Sequence, residues 1–194
     1  MKHLLALLTI SIIALTSCEG RKSQSQALTE SIAAFKKTVN FETNVFIPKT
    51  YFEHEVDTLM SNGFRVKIKT YTDLSKAVRF SKIKDTINYQ THYRNFKFEV
   101  SVFKNNVKVY QEHFDKQKVN KVFNFDNTLT RDLKSYNFDT LAVLKSIEVN
   151  DDLIYKNKVF IHIMYAIPES DKNVSHALII DDKGQSNIVQ EELK

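Results

Sequence analysis

The chain has 194 residues and a formal net charge of +5, and its single cysteine and three glycines limit the chemistry it can carry. One cysteine excludes an internal disulfide framework and any zinc or iron–sulfur centre that needs several thiolates. Three isolated glycines exclude both the glycine-rich loops that cradle phosphates and the Gly-x-Ser-x-Gly elbow of serine hydrolases. The composition therefore argues against the large nucleotide-dependent enzyme classes.

Residues 1–17 have the pattern of a secretory signal peptide. Lys2 and His3 give a basic start, and an apolar stretch then runs over residues 4–15. This stretch is shorter than the ~20 apolar residues that a membrane-spanning helix needs. Residues 19–26 are polar, so no stop-transfer signal follows. The pattern predicts a cleaved leader.

The end of this leader resembles the processing box of bacterial lipoproteins, which Leu15, Thr16, Ser17 and Cys18 match position by position. The resemblance implies cleavage before Cys18, a thioether-linked diacylglycerol on its sulfur and an amide-linked acyl chain such as palmitate. Two or three chains anchor a protein stably where one does not. The implied partner is the membrane, and the implied location is the outer membrane facing the periplasm, with surface exposure left open.

After the leader, residues 18–26 are predicted to form a lipidated tether, and residues 27–194 a single domain. Residues 27–40 are predicted to be helical, because their apolar side chains recur at spacings of three or four. These side chains are Leu28, Ile32, Phe35 and Val39. We expect this stripe to be a packing face, with a membrane-surface role as the alternative.

From residue 41 the apolar period changes to two, which is typical of strands. Phe64, Val66 and Ile68 alternate with Arg65, Lys67 and Lys69, and residues 96–111 predict a hairpin around Asn105-Asn106. The three basic side chains are predicted to form a cationic stripe that contacts a polyanion, either lipid head groups or a wall polymer. Arg79, Lys82 and Lys84 follow shortly after. The alternative is a solvated sheet face.

Residues 127–149 are predicted to contain a helix with Asp139 as its N-cap. Strands return at residues 159–167 and 174–180, and Gly184 is expected to supply the positive φ of a tight turn. The chain is therefore predicted to be α+β, mainly antiparallel sheet, with an N-terminal and a mid-chain helix; a β-sandwich is the alternative. The mature part is similar to uncharacterised families of short secreted lipoproteins at residues 104–110, 139–147 and 179–184, and this resemblance implies no activity.

The histidines form no metal-binding motif, so no metal or cofactor is expected. The mature chain has His54, His92, His113, His162 and His176, without His-x-His or His-x3-His spacing. His162, between Ile161 and Ile163, is the best candidate for a buried polar residue. The densest acid–histidine cluster is Glu53-His54-Glu55, with Asp57 beside it. We expect a solvated polar face here, and the alternative is a hydrolase that uses Glu53, His54 and Glu55.

Three Asp-Thr-apolar triplets resemble the acceptor sequence for O-glycosylation in some Gram-negative lineages. They would place glycans on Thr58, Thr86 and Thr140.

The sequence as a whole predicts a lipid-anchored envelope protein that is not an enzyme and that binds another envelope protein or an envelope polymer. A small-ligand or glycan carrier is the second hypothesis, and the hydrolase is the third. Nucleic acid is not expected as a partner in this compartment.

Overall fold

A computed structural model describes residues 22–38, 42–84, 87–125, 137–152 and 157–191. The predicted leader, Cys18, Val39, Thr86 and residues 127–136 lie outside the described residues. Contacts between Cα atoms divide the chain into two compact units, Met1–Glu42 and Thr43–Lys194. The first holds one described helix, and the second holds the strands from residue 43 onward and two short helices.

The described elements follow the chain in this order. The first is α1 (Gln24–Thr38), followed by β1 (Glu42–Ile47), β2 (Glu53–Leu59), β3 (Phe64–Lys84), β4 (Ile87–Lys104) and β5 (Val107–Phe114). Next come α2 (Lys116–Val122), α3 (Phe138–Leu141), β6 (Val143–Asn150), β7 (Lys158–Ala166), β8 (Asn173–Asp181) and β9 (Ser186–Glu191). None of the described helices combines the length and the apolar character that a bilayer crossing requires.

Helix α1 confirms the predicted N-terminal helix. Its start is capped reciprocally, because the Gln26 N–H donates to Ser23 Oγ at 3.2 Å and the Ser23 N–H donates to Gln26 Oε1 at 3.1 Å. The predicted packing stripe is a different matter, since Leu28 is 61%, Ile32 46% and Phe35 59% exposed. For these three residues the prediction of a packing face is wrong.

The strands of the second unit form two antiparallel sheets, which confirms the predicted α+β, sandwich-like class. The first sheet has the order β1-β4-β3-β2, and β5 also pairs with β4; the second has the order β6-β7-β8-β9. The paired strands β2 to β5 and β6 to β9 follow one another along the chain, so most connections are short.

The core lies between the inner faces of the two sheets. The predicted alternation is confirmed, because Phe64, Val66 and Ile68 are at most 1% exposed. They join one cluster with inner-face residues of the second sheet, among them Ile161 and Leu178. Each buried side chain of this size contributes on the order of 2 kcal/mol, so this interface is the main source of stability.

The turn between β8 and β9 brings the two sheets close together. Gly184 has the predicted positive φ, +79°. A Cβ at this position would lie 2.0 Å from the backbone oxygen of Val109 in β5. Only glycine satisfies both the conformation and the approach.

The middle of the chain differs from its prediction. Helix α3 ends at Leu141, and the residues from Val143 onward form β6, so the predicted helix is wrong over this part. Asn137, in the left-handed conformation, precedes the helix, and Asp139 lies in its first turn, so the predicted Asp139 N-cap is also wrong. A short apolar run such as 141–144 fits the period of a helix and that of a strand, and pairing with β7 makes the residues from Val143 onward a strand.

Strands β3 and β4 continue past an irregularity in their pairing as a long hairpin, which β1 flanks on the β4 side. The register shifts between Asp73 and Ala77, and residues 77–84 then pair with residues 87–94. We call these two segments the arm. At the base of the arm, Asp73 Oδ1 accepts hydrogen bonds from the Ser75 N–H at 3.0 Å and from Ser75 Oγ at 2.6 Å. These bonds stabilise the irregular segment between Asp73 and Ala77.

Candidate functional site

A cleft of about 240 Å³ opens between the two sheets of the second unit. The first sheet and the residue preceding β2 contribute Phe52, His54, Thr70 and Phe96; the second sheet contributes Leu144, Lys145, Ser146 and Ile147. Pockets for drug-sized ligands usually measure about 300–1,000 Å³. The cleft therefore suits a smaller molecule, about the size of one ring with its substituents.

The aromatic wall of the cleft is built around Phe52, which is half exposed. Its backbone is fixed to β3, since the Phe52 N–H donates to Thr72 Oγ1 at 3.1 Å and the Thr72 N–H donates to the Phe52 carbonyl oxygen at 2.9 Å. The Phe96 ring meets it edge-on at 6.4 Å, and the His54 ring stacks on it at the same distance. A ring that is both exposed and fixed is a platform for the flat apolar face of a ligand.

The opposite wall is shaped by a bulge in β6. Leu144 pairs with Tyr165 and Ser146 with Met164, so Lys145 has no cross-strand partner. An unpaired residue of this kind bends the strand and changes the direction of its side chain. The exposed Lys145 takes part in none of the ion pairs found among the described residues. Its ammonium is available to an anionic group, with Thr70 and Ser146 supplying hydroxyls.

The residues of the predicted hydrolase cluster lie on opposite faces of the strand that contains them. Glu53 and Glu55 alternate with His54 along β2, so the two carboxylates lie on the face opposite the imidazole. Glu53 instead pairs with Lys69 at 2.8 Å, and this contact lowers the pKa of the Glu53 carboxyl. Of the three residues, only His54 lines the cleft.

The predicted cationic stripe lies on one face of β3, as the alternation indicated, but each of its cations has an acidic neighbour on β2. Arg65 donates two hydrogen bonds of 2.7 Å to the Asp57 carboxylate, and Lys67 lies 3.0 Å from the same group. These two cations hold the pKa of Asp57 far below its usual range. Polyanion binding by Arg65, Lys67 and Lys69 stays a prediction, and the ion pairs weigh against it.

Histidine burial differs from the prediction. Among the described histidines the buried one is His176, not His162; it is 2% exposed, and its ring stacks on Phe123 at 4.6 Å. Burial lowers the pKa of His176 to about 4. The alternation at Ile161, His162 and Ile163 is real, but it places His162 on the outer face. A polar residue between two buried ones points away from the core.

On that outer face, His162 bridges two neighbours. Its Nδ1 donates to Glu191 at 2.8 Å, and its Nε2 accepts from Asn150 Nδ2 at 3.1 Å, a pair of contacts that assigns one tautomer. Among the residues that the structure describes, no group of three or more histidines, cysteines and carboxylates is placed to hold a metal ion.

Lys116, the first residue of α2, is a partly buried lysine beside the aromatic core. Lys116 donates to the carbonyl oxygen of Ala142, and its ammonium lies 5.3 Å from the Tyr165 ring centroid. Burial lowers the pKa of Lys116 to about 8. Its contacts are with the backbone and with core rings, so they support a structural role.

The remaining sequence-predicted sites do not gather at the cleft. Thr58 is half buried on β2, and exposed Thr140 donates to Asp139 Oδ2 at 3.3 Å. Thr86 and Cys18 lie outside the described residues. Glycosylation and lipidation stay predictions.

Phe52, Phe96 and Lys145 were not singled out from the sequence. No motif joins them, because their proximity depends on sheet packing and on one unpaired residue in β6. A scan against protein-family models and a search of curated proteins both returned no match to this chain.

Proposed function

We propose that the chain is a non-enzymatic binding module, held at the cell envelope by lipid on Cys18, and that its cleft binds a small sugar acid. The observation that carries this proposal is the pairing of an exposed, fixed aromatic ring with an unpaired lysine across a cleft of ring size. Phe52 supplies the stacking surface, and Lys145 supplies the charge.

The chemistry of the two walls selects the ligand class. The C–H face of a pyranose ring is apolar and stacks on an aromatic ring, while its edge carries hydroxyls. Thr70 and Ser146 are placed to bond such hydroxyls, and Lys145 to attract a carboxylate. A sugar acid satisfies all of these groups at once, whether it is free or part of an envelope polymer.

The distribution of titratable groups supports a binding role rather than catalysis. No carboxylate belongs to the described residues that line the cleft, and the ionisable groups among them are His54 and Lys145. General acid–base hydrolysis normally uses two groups placed on either side of the reacting bond, often with a third group orienting one of them. The nearest carboxylates on β2, Glu53 and Glu55, lie on the other face.

Isothermal titration of the full chain with methyl glucuronide, and with methyl glucoside as its neutral counterpart, tests the proposal. We expect the acid to bind about fivefold more tightly than the neutral sugar, as expected for one close charge pair in water. Phe52→Ala should weaken binding about tenfold, and Lys145→Gln should abolish the preference for the acid. Tyr89→Ala and Lys158→Gln are matched controls away from the cleft and should leave binding unchanged.

A short glucuronate oligomer in the same assay distinguishes a free sugar from a polymer unit, because a polymer ligand should bind more tightly than the monosaccharide. Absence of binding by both acid and neutral sugar would contradict the assignment of the cleft. Equal affinity for the two would contradict the role given to Lys145.

The anchor and the location are tested separately. Cells expressing the full chain and grown with an alkyne-bearing palmitate analogue should yield a labelled protein, and Cys18→Ala should lose the label. Separation of inner and outer membranes should place the labelled protein in the outer membrane, and protease treatment of intact cells should leave it protected if it faces the periplasm.

A further inference from the structure

The arm contains cations that form no ion pair among the described residues, and the sequence has one acid, Asp85, between its two segments. Residues 77–84 and 87–94 include Arg79, Lys82, Lys84 and Arg94, and neither segment contains an aspartate or a glutamate. Arg94 has an internal role, because its guanidinium donates to the carbonyl oxygens of Pro48 and Leu74. The other three cations are exposed, and none takes part in an ion pair among the described residues.

The free end of the arm also exposes apolar side chains beside these lysines. Ile83 is 77% exposed, and Tyr89 is 41% exposed. The register places Lys82 opposite Tyr89 and Lys84 opposite Ile87. Opposite residues share a face of the hairpin, so Lys82, Lys84, Ile87 and Tyr89 lie on one face and Ile83 lies on the other. Cationic, aromatic and aliphatic groups therefore surround the same last three residue pairs.

This combination fits one kind of partner surface. Lysines reach lipid phosphates while their alkyl chains lie along apolar groups, and tyrosine prefers the depth of the head groups. If the hairpin docks end-on, Ile83 on its opposite face enters the acyl boundary at the same time. A polyanionic polymer would use the charges alone and leave Ile83 in water. We propose that the end of the arm docks into the interface of an anionic lipid bilayer.

The arm is held firmly enough to present its end. Phe46 of β1 stacks on His92 at 4.6 Å and lies beneath the Arg94 guanidinium at the same distance. The Tyr93 hydroxyl donates to Glu169 in the β7–β8 turn at 3.0 Å. At roughly 3.4 Å per residue, the paired segments extend about 24 Å from their base. This length separates the docking end from the cleft, so membrane docking does not require a ligand in the cleft.

A site-specific fluorescent label tests this docking. The full chain with Cys18→Ser has no other cysteine, so Ile83→Cys carries an environment-sensitive dye at the end of the arm and Asn187→Cys carries it on exposed β9. Both proteins are mixed with vesicles of phosphatidylglycerol and phosphatidylcholine, or of phosphatidylcholine alone. The readout is local, so membrane contact by the leader cannot produce it.

We expect a blue shift and quenching by brominated lipid at position 83 with phosphatidylglycerol vesicles, and neither at position 187. Adding Lys82→Gln and Lys84→Gln should lower the local docking equilibrium about fivefold for each lysine. Lys121→Gln with Lys183→Gln removes the same charge away from the arm and should have no effect.

Three results would overturn the proposal. These are an unchanged signal at position 83 with anionic vesicles, an equal response at position 187, and a blue shift produced by heparin or by protein alone but not by vesicles. The last result would assign the arm to a polyanionic polymer or to a second copy of the chain.

Discussion

The inner half of the β3–β4 hairpin and the arm are built from the same two strands, yet their neighbours differ. In the inner half, Phe64 and Phe98 are fully buried against the second sheet, and the cations of β3 face acids on β2. In the arm, Ile83 is largely exposed, and the flanking strand is β1. Period-two alternation is therefore compatible with a core or with an exposed surface, depending on what lies beside the strands.

The largest expected effect is a difference in the free energy of unfolding between substitutions in the inner half of the hairpin and substitutions in the arm. Phe98 is 0% exposed and stacks on Phe114 at 4.8 Å, so Phe98→Ala should lower the free energy of unfolding by about 3–5 kcal/mol. Ile83→Ala should change it by less than about 0.5 kcal/mol. Urea unfolding of both variants checks this, and similar losses would show that the arm is part of the cooperative core.

The pH dependence of stability should come from the packed half. His176 has a pKa of about 4 when folded and about 6.5 when unfolded, so between these values the unfolded chain binds the extra proton. Stability should therefore fall as pH decreases from about 6.5, by about 3 kcal/mol at pH 4. His176→Phe should remove this slope in unfolding curves, and an unchanged slope would assign it to other groups.

Two glycines with the same backbone conformation test how much the close approach of the two sheets contributes to stability. A Cβ at Gly63, φ +80°, would meet the Lys104 ammonium at an ordinary contact distance of 3.7 Å, whereas Gly184, φ +79°, faces the Val109 backbone. Gly63→Ala should cost about 1 kcal/mol for the conformation alone, and Gly184→Ala should cost roughly twice that or more because the sheets must also move apart. Thermal unfolding should show this difference, and equal losses would mean that the approach is unimportant.

The smallest stability effect tests charge pairing. Asp57→Asn with Glu53→Gln should change stability little, because exposed ion pairs contribute little and are screened by salt. The same change removes the carboxylates that form ion pairs with Arg65, Lys67 and Lys69, while Glu55 stays opposite Lys69, and should increase retention on heparin. Unchanged retention would mean that these pairs do not limit the charge available on this face.

The sequence predicted the features that depend on local period and on backbone conformation. The alternation at Phe64, Val66 and Ile68 identified an inner face, and Gly184 was correctly placed in a turn. Both depend on interactions within a few residues, which a sequence displays directly.

The features that depend on pairing could not be predicted in the same way. The acids of β2 neutralise the cations of β3 only because Asp57 lies opposite Lys67 in the register. Likewise, the cleft forms only because Phe52 and Lys145, which are distant in sequence, lie across from each other. The bulge at Lys145 is also hidden in the sequence, because the apolar residues around it are spaced as in a helix. Tertiary contacts decide such cases, as they did for the run ending at Leu144.

The most direct test of the account is an NMR measurement of nuclear Overhauser effects between methyl glucuronide and the aromatic rings of the full chain. We expect contacts from the sugar ring protons to Phe52 and Phe96, with shift changes at Lys145. Shift changes confined to Arg65, Lys67 and Lys69, with the cleft unaffected, would contradict this expectation and restore the outer face of β3 as the binding surface.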